Sequence, residues 1–539
     1  MNKRLVLPLV LASIMSYLPP LIAKDCCPKT CYTSCCKSGC CPTPCTDTCS
    51  CDTSSKTFFY VRPLYQSVRP ELIAGFRNER DRAREDGKGG ALDFVLFGSE
   101  STKDRRLASY FMPYCKTTLV VSEQTSENFT PDLLATNFNI HTVDESYTGT
   151  ICFEMGQSAV GLGIHYKQRF TWTDDDMRGG WFSFSAPITN VRNKVTMYEN
   201  SNSADLTVNP DTPTAVTSMC AAFNQLGWNY GRIAANANMG KTGLADIEAK
   251  LGYEWLICEK THIAGYIGAL IPTGNKPCGR YVFEPIVGHG GYAGLMWGAD
   301  GGYQLWTDDE RERNISFEWA AHGQYLFGNT QKRSFDLVNR PWSRYLDVYA
   351  NKEQAQTALG TGSQFLATPG INVFTRDMKV TPGFNGNATT AFVLSAGGFQ
   401  GEMGYNVYAR QSEYVKLSCP WPTGDNAPAL KDIDGVGNLN PFRTIDGNFY
   451  LETLPAVQPI NPFTITNYAN YSIKETDLNL RSAAHPAFIA HMLHAALGYR
   501  WDDLKYPVHI NGGASYEFAL NKNTTLNRWV AWFKGGFSF

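Results

Sequence analysis

The sequence predicts an all-β transmembrane antiparallel barrel, on three observations. Charged residues make up only 18 % of the chain while aromatics reach 13 %, alongside 48 glycines. Soluble domains usually carry about 25 % charge. Many segments alternate apolar and polar residues over a dozen positions. A tilted membrane strand needs about 9–11 residues, whereas soluble strands average about 5–6. The chain closes on a strand ending in Phe539.

The first 23 residues read as a secretory signal peptide. Lys3 and Arg4 supply the positive start, Leu5–Leu18 the apolar stretch, and Ala23 a small residue before cleavage. Beyond them no run of 18 or more apolar residues occurs, so a membrane protein of this composition must cross with strands.

Residues 24–56 form a cysteine-rich arm. Ten of the sixteen cysteines fall there: Cys26, Cys27, Cys31, Cys35, Cys36, Cys40, Cys41, Cys45, Cys49 and Cys51. Interleaved Pro28, Pro42 and Pro44 oppose a regular helix. In an oxidising compartment these residues are disulfide candidates. A thiolate metal site and a tail without fixed pairing are the alternative readings. The composition is similar to that of cysteine-rich chlamydial envelope proteins. Residues 57–90 read as a plug segment, with Arg69–Arg84 helix-compatible, and 91–539 as the barrel.

Four segments show the alternation best. Val160–Trp172 sets Val160, Leu162, Ile164, Tyr166, Phe170 and Trp172 against His165, Lys167 and Arg169. Ala245–Ile257 sets Ala245, Ile247, Ala249, Leu251, Tyr253, Trp255 and Ile257 against Asp246, Glu248, Lys250, Gly252 and Glu254. Ile315–Phe327 opposes Ile315, Phe317, Trp319, Tyr325 and Phe327 to Glu318, His322 and Gln324. Tyr506–Leu520 opposes Tyr506, Val508, Ile510, Tyr516 and Phe518 to His509, Asn511, Ser515 and Glu517. Counting the similar segments predicts about 14 strands, within a range of about 12–16. Ala108–Val121, Gly149–Gly156, Gly180–Ile188, Asn190–Tyr198, Gly290–Ala299 and Gly302–Thr307 are among them. Thr214–Leu226 reads as a short helix, and Asn329–Asn387 and Ser418–Leu480 as long extracellular loops.

In the last strand Trp529, Phe533, Phe537 and the terminal Phe539 share one face. This pattern resembles the signal read by the bacterial barrel-assembly machinery. A stretch within Gly243–Gly274 resembles the outer-membrane channel family associated with meta-pathway phenol degradation, itself similar to the long-chain fatty-acid (FadL-like) channel. The resemblance rests on Gly243, Asp246 and Tyr253, then Leu270, Pro272, Thr273 and Gly274. Ala245 departs from a second glycine, and Ile271 is inserted before the proline. The resemblance implies uptake of hydrophobic or aromatic small molecules through a lumen plugged by an N-terminal segment.

The inward rows carry the expected pore lining: His165, Lys167, Arg169, Asp246, Glu248, Lys250, Glu318, His322, Glu517 and Arg528. They mix both signs, and rings of a single sign are what select ions, so weak charge preference follows. The competing reading is that these charges pair and fill a narrow barrel.

Other patterns point to no chemistry. Ala235–Thr242 matches a relaxed phosphate loop but lies before strand alternation rather than between a strand and a helix. His491 and His494 fall on opposite faces of a strand, and Asp174, Asp175 and Asp176 read as a solvated turn. No G-x-S-x-G or H-E-x-x-H element occurs. A net charge of -2 offers nothing to nucleic acid. No catalytic residue, metal or cofactor is expected. The predicted role is a channel for small solutes in the bacterial outer membrane, with lipid, the assembly machinery and the solute as partners. The alternative is a structural envelope protein cross-linked to other envelope proteins by disulfides through its Cys-rich arm, Cys26–Cys51.

Overall fold

The computed structural model describes residues 55–67, 89–102, 104–123, 131–171, 178–208, 215–234, 237–258, 261–308, 312–361, 367–430, 468, 472–520 and 524–539. The chain divides into two units, Met1–Asp52 and Thr53–Phe539. The ten cysteines of the arm, the signal segment, Arg69–Arg84 and Asp174–Asp176 lie outside the described residues.

Twelve strands of the second unit close into a barrel. They are β1 (Gly90–Ser101), β2 (Thr148–Thr171), β3 (Gly179–Ser201), β4 (Ile247–Cys258), β5 (Thr261–Ile271) and β6 (Gly294–Asp308). They continue as β7 (Arg313–Leu326), β8 (Gly383–Ala396), β9 (Phe399–Arg410), β10 (Phe488–Trp501), β11 (Val508–Phe518) and β12 (Arg528–Ser538). Each pairs antiparallel with its neighbour in sequence, and β12 returns to β1 along Ala91↔Ser538 to Ser101↔Arg528. No barrel strand is left with an unpaired edge, which a spanning sheet requires because lipid offers no hydrogen bonds.

Strand length is longer than the alternation first suggests. Gly149–Gly156 and Val160–Thr171 are parts of one strand, because Gln157 and Ala159 continue the inward row without a turn, and Trp172 lies outside the described residues. Gly180–Ile188 merges likewise with Asn190–Tyr198 through Thr189, and Gly290–Ala299 with Gly302–Thr307 through Asp300. Ala108–Val121 is not a barrel strand. Asp104–Phe111 forms a helix whose Leu107, Tyr110 and Phe111 fall on one buried face at i, i+3 and i+4 spacing. Pro113 then turns the chain into the short strand Thr118–Ser122 beside the end of β2. Three mergers and this one loss take sixteen alternating segments of the sequence to twelve strands.

The turns 172–178, 259–260, 309–312, 397–398 and 502–507 join strands at one end, and all are short. At the other end the connections 102–147, 202–246, 272–293, 327–382 and 411–487 are long. They are not structureless. Asn329–Ser334, Thr375–Thr381 and Tyr414–Leu417 make a three-stranded sheet, Lys352–Thr361 is a helix, and Ser218 caps a short helix at Met219–Ala222. Phe138, Phe223, Trp228, Trp342 and Tyr345 bury themselves in an aromatic core of these connections.

Outward residues of the strands are apolar and uncovered, as with Leu251 (55 % exposed), Met403 (71 %) and Leu497 (74 %). Trp255, Trp306, Phe399 and Trp501 ring the turn end, and Tyr325, Phe327, Tyr516 and Trp529 the loop end. An apolar band between aromatic girdles, short turns at one end and long loops at the other make an outer-membrane barrel. No described helix is long and apolar enough to cross a membrane.

Candidate functional site: the lumen and its N-terminal segment

The pleat that sends apolar residues to lipid sends their neighbours inward. His165, Lys167, Arg169, Glu248, Lys250, His322, Glu517 and Arg528 are all buried inside, and Glu318 is half-buried. They are matched with partners on neighbouring rows or on their own strand. Arg169 on β2 meets Glu254 on β4, and Lys250 lies 3.0 Å from Glu248 on its own strand. Arg528 on β12 donates to Glu517 on β11 at 3.1 Å, and Glu318 lies 3.5 Å from His262. His165 Nδ1 is 2.8 Å from Ser185 Oγ, and His322 Nδ1 is 2.5 Å from Tyr266 Oη. Lys167 stacks over the Trp181 ring. His494 points inward to Glu402 at 2.9 Å while His491 points outward to Tyr405, so the two share no face.

Asp246 is placed differently from its neighbours. Ala237–Leu244 and Ile247–Glu254 pair with successive stretches of the same β3, so they form one strand broken at Ala245 and Asp246. Ala245, read as outward from alternation, is buried because the break turns it. Asp246 sits at φ 50°, a left-handed conformation that costs a non-glycine residue about 1–2 kcal/mol. The return on that strain is four hydrogen bonds to one carboxylate. Thr273 N (3.2 Å), Gly274 N (3.1 Å), His289 N (2.6 Å) and His289 Nδ1 (2.6 Å) all donate to it. Gly288 (φ +73°) lets the 272–293 connection approach, since a Cβ there would lie 2.5 Å from Asp246 Oδ2. The two halves of the resembling stretch, Asp246 and Thr273–Gly274, thus meet in one hub.

The hub holds the segment 55–67. A carboxylate only accepts, so His289 Nδ1 donates to Asp246, and Nε2 faces the other way. Gln66 Nε2 (2.8 Å) and Gln324 Nε2 (3.0 Å) reach that nitrogen. Arg62 donates to Asn406 Oδ1 on β9 at 3.0 Å, lies 3.9 Å from Glu517, and its carbonyl accepts from Arg528 at 3.0 Å. The Tyr65 ring packs against Phe97 of β1. The segment therefore touches inward side chains of β1, β7, β9, β11 and β12.

Towards the loop end the same segment is clamped by cations. The Arg333 guanidinium stacks 3.1 Å from the Phe58 ring centroid and that of Arg410 3.5 Å from Tyr60. Both guanidiniums donate to Glu413, at 3.2 and 2.8 Å, and His485 N adds a third bond at 3.0 Å. Burial pushes the Glu413 carboxyl up, but Arg333 and Arg410 outweigh it and hold it below the usual carboxylate range. Burial, with Arg410 beside it, pushes His485 down to about 3, so its ring is neutral. Ser55 donates to Asp336 at 2.7 Å, and Arg344 closes on the same carboxylate at 2.7 Å.

Arg333, Asp336, Arg344, Glu413 and His289 were invisible to periodicity, because all lie in connections. Asn406, missed as well, sits on an inward row, and its alternation with Tyr405 and Val407 was the signal available. Among the described residues no group of His, Cys, Asp and Glu is placed to hold a metal ion.

Among solved structures the chain is similar to an outer membrane channel from Pseudomonas putida F1, at 6 % identity and a TM-score of 0.35, over 84 % of this chain and 96 % of that one. It is also similar to the transport unit of the autotransporter AIDA-I from Escherichia coli (10 %, TM-score 0.31, 88 % and 97 %) and to a FadL homologue from Pseudomonas aeruginosa (9 %, TM-score 0.25, 86 % and 91 %). No protein-family model matches, and no curated protein matches either. Fold and membrane placement stand on the closed register and the outward apolar band.

Proposed function

We propose that the protein is an outer-membrane channel for small solutes, gated by its own N-terminal segment. One observation carries this reading. Residues 55–67 are held inside the barrel by side chains of many different strands rather than by a ladder, so the segment acts as a removable plug. In this reading His165, Lys167, Arg169, Asp246, Glu248, Lys250, Glu318, His322, Glu517 and Arg528 line the path, and their mixed signs pass solutes with weak charge preference. Trp529, Phe533, Phe537 and Phe539 serve as the strand that assembly machinery reads.

Single-channel recording in planar bilayers tests it. The wild type opens rarely, and Arg62→Ala, which removes the contacts to Asn406 and Glu517, raises the open fraction. A barrel silent in both forms ends the channel reading. A second reading, cross-linking within the envelope, is favoured by exposed Cys278 and Cys419 in long connections at one end. Non-reducing gels that show a ladder collapsing with reductant support it.

A further inference from the structure

Several charges of the lumen are neutralised in place, by Arg169 with Glu254, Lys250 with Glu248 and Arg528 with Glu517. Beside Trp532 the wall also carries neutral polar groups without a hydrogen-bond partner. Asn511, Gly513 and Ser515 follow one another on the inward face of β11. Trp532 of β12 pairs in register with Gly513 and lays its indole against that glycine, where a Cβ would stand 2.3 Å from Trp532 Cζ2. An amide and a hydroxyl therefore flank an aromatic face. Neither side-chain atom of Asn511, nor Ser515 Oγ, nor Trp532 Nε1 has a hydrogen-bond partner, although the three residues are 3 %, 6 % and 4 % exposed. Ser99 Oγ on β1 is in the same condition, and its backbone pairs with Val530, which in turn pairs with Ser515.

Buried polar atoms are normally paired, and five unpaired ones on three adjacent strands point to a ligand or solvent that pairs them. An apolar solute would leave all five unpaired. An ion would need a countercharge of its own, and the ionisable groups nearest Asn511 already lie beside one another: His509 is 3.4 Å from Asp93, and Lys534, in register with Asn511, follows them on the same wall. A polyol ring satisfies the set, with its C–H face on the indole and hydroxyls to the amide and the serines. We propose that Trp532, Asn511, Ser515 and Ser99 form a subsite for a neutral polyhydroxylated solute the size of a sugar ring. The proposal rests on the channel reading. Leu64 and Tyr65 of the plug share one apolar cluster with Trp532, so the subsite is engaged as the plug moves.

The test reconstitutes the full chain in liposomes and compares entry of glucose, gluconate and protonated glucosamine, which match in size and differ in charge. Potassium chloride conductance is measured in parallel. Glucose is expected to enter fastest, and N511L/S515A to slow glucose by about tenfold while leaving the other two solutes and the conductance within about twofold. Should that variant fail to insert, Asn511→Ala alone is read against the same three solutes. Equal entry of all three, or glucose entry unchanged by the variants in a barrel that conducts, overturns the subsite and leaves the channel reading intact. Absence of conductance and of all solute entry overturns both.

Discussion

Glu413→Gln removes the charge that joins Arg333 to Arg410 beneath Phe58 and Tyr60. The carboxylate is fully buried and accepts from both guanidiniums and from His485 N. Taking one partner from a buried ion network costs about 3–5 kcal/mol, because the remaining charges stay buried without compensation. The two guanidiniums are the groups stacked on the plug, so the loss falls on residues 55–67. At about 1.4 kcal/mol per tenfold, local opening rises by roughly two to three and a half decades. Hydrogen exchange read by mass spectrometry in detergent micelles should show amides of 55–67 accelerating by that factor. Amides of β1–β12 should change little. The matched control is Asp377→Asn, which breaks the exposed Lys332–Asp377 pair, worth about 0–1 kcal/mol. Unchanged exchange at 55–67, or equal acceleration throughout the barrel, would refute the clamp.

The clamp also predicts acid sensitivity. His485 is depressed to about 3 from 6.5, so its neutral form stabilises fully above about pH 6.5 and progressively less as pH falls towards 3. Glu413 is depressed below 4.5, so its contribution is complete above that value and lost as pH falls through its lowered pKa. Protection of 55–67 should be flat from pH 7 to 8 and decline below about 6.5; protection that grows in acid contradicts both assignments. Gly252→Ala puts a Cβ 2.2 Å from Trp181 Cζ2 and should cost about 1–3 kcal/mol in urea unfolding followed by gel shift. Gly240→Ala meets nothing nearer than Arg192 Cγ at 3.8 Å and should be neutral by the same assay; equal midpoints for the two would count against inward ring packing. Phe539→Ser removes the ring stacked on Tyr166 but keeps the two backbone bonds to Gly90. It should lower the yield of inserted barrel in cells more than the stability of the purified fold, and the reverse order would argue for a packing role alone.

Facing was legible from sequence because a strand has period two and a membrane barrel enforces it over ten or more residues. Leu251, Trp255 and Phe533 face outward and Lys167, Glu248 and Glu517 inward, as alternation required. Strand ends were less legible. Nothing in Ser158 or Thr189 marks whether a row continues, and only pairing along all of β2 and β3 shows that it does. Alternation also failed at Ala245, where a left-handed Asp246 resets the phase. The clamp was beyond reach for a different reason. Arg333 comes from one connection and Glu413 and His485 from opposite ends of another, and their meeting depends on how those connections fold over the mouth rather than on any local period.

The central claim is that the outward rows touch lipid while the inward rows surround the plug. Photo-crosslinking amino acids placed singly at Leu251, Met403 and Leu493, and at Asn385 and Asn406, test it in liposomes. The first three should capture lipid, and the last two should capture only protein, with Asn406 reaching residues 55–67. Lipid captured from Asn385 or Asn406, or none from the outward set, would contradict it.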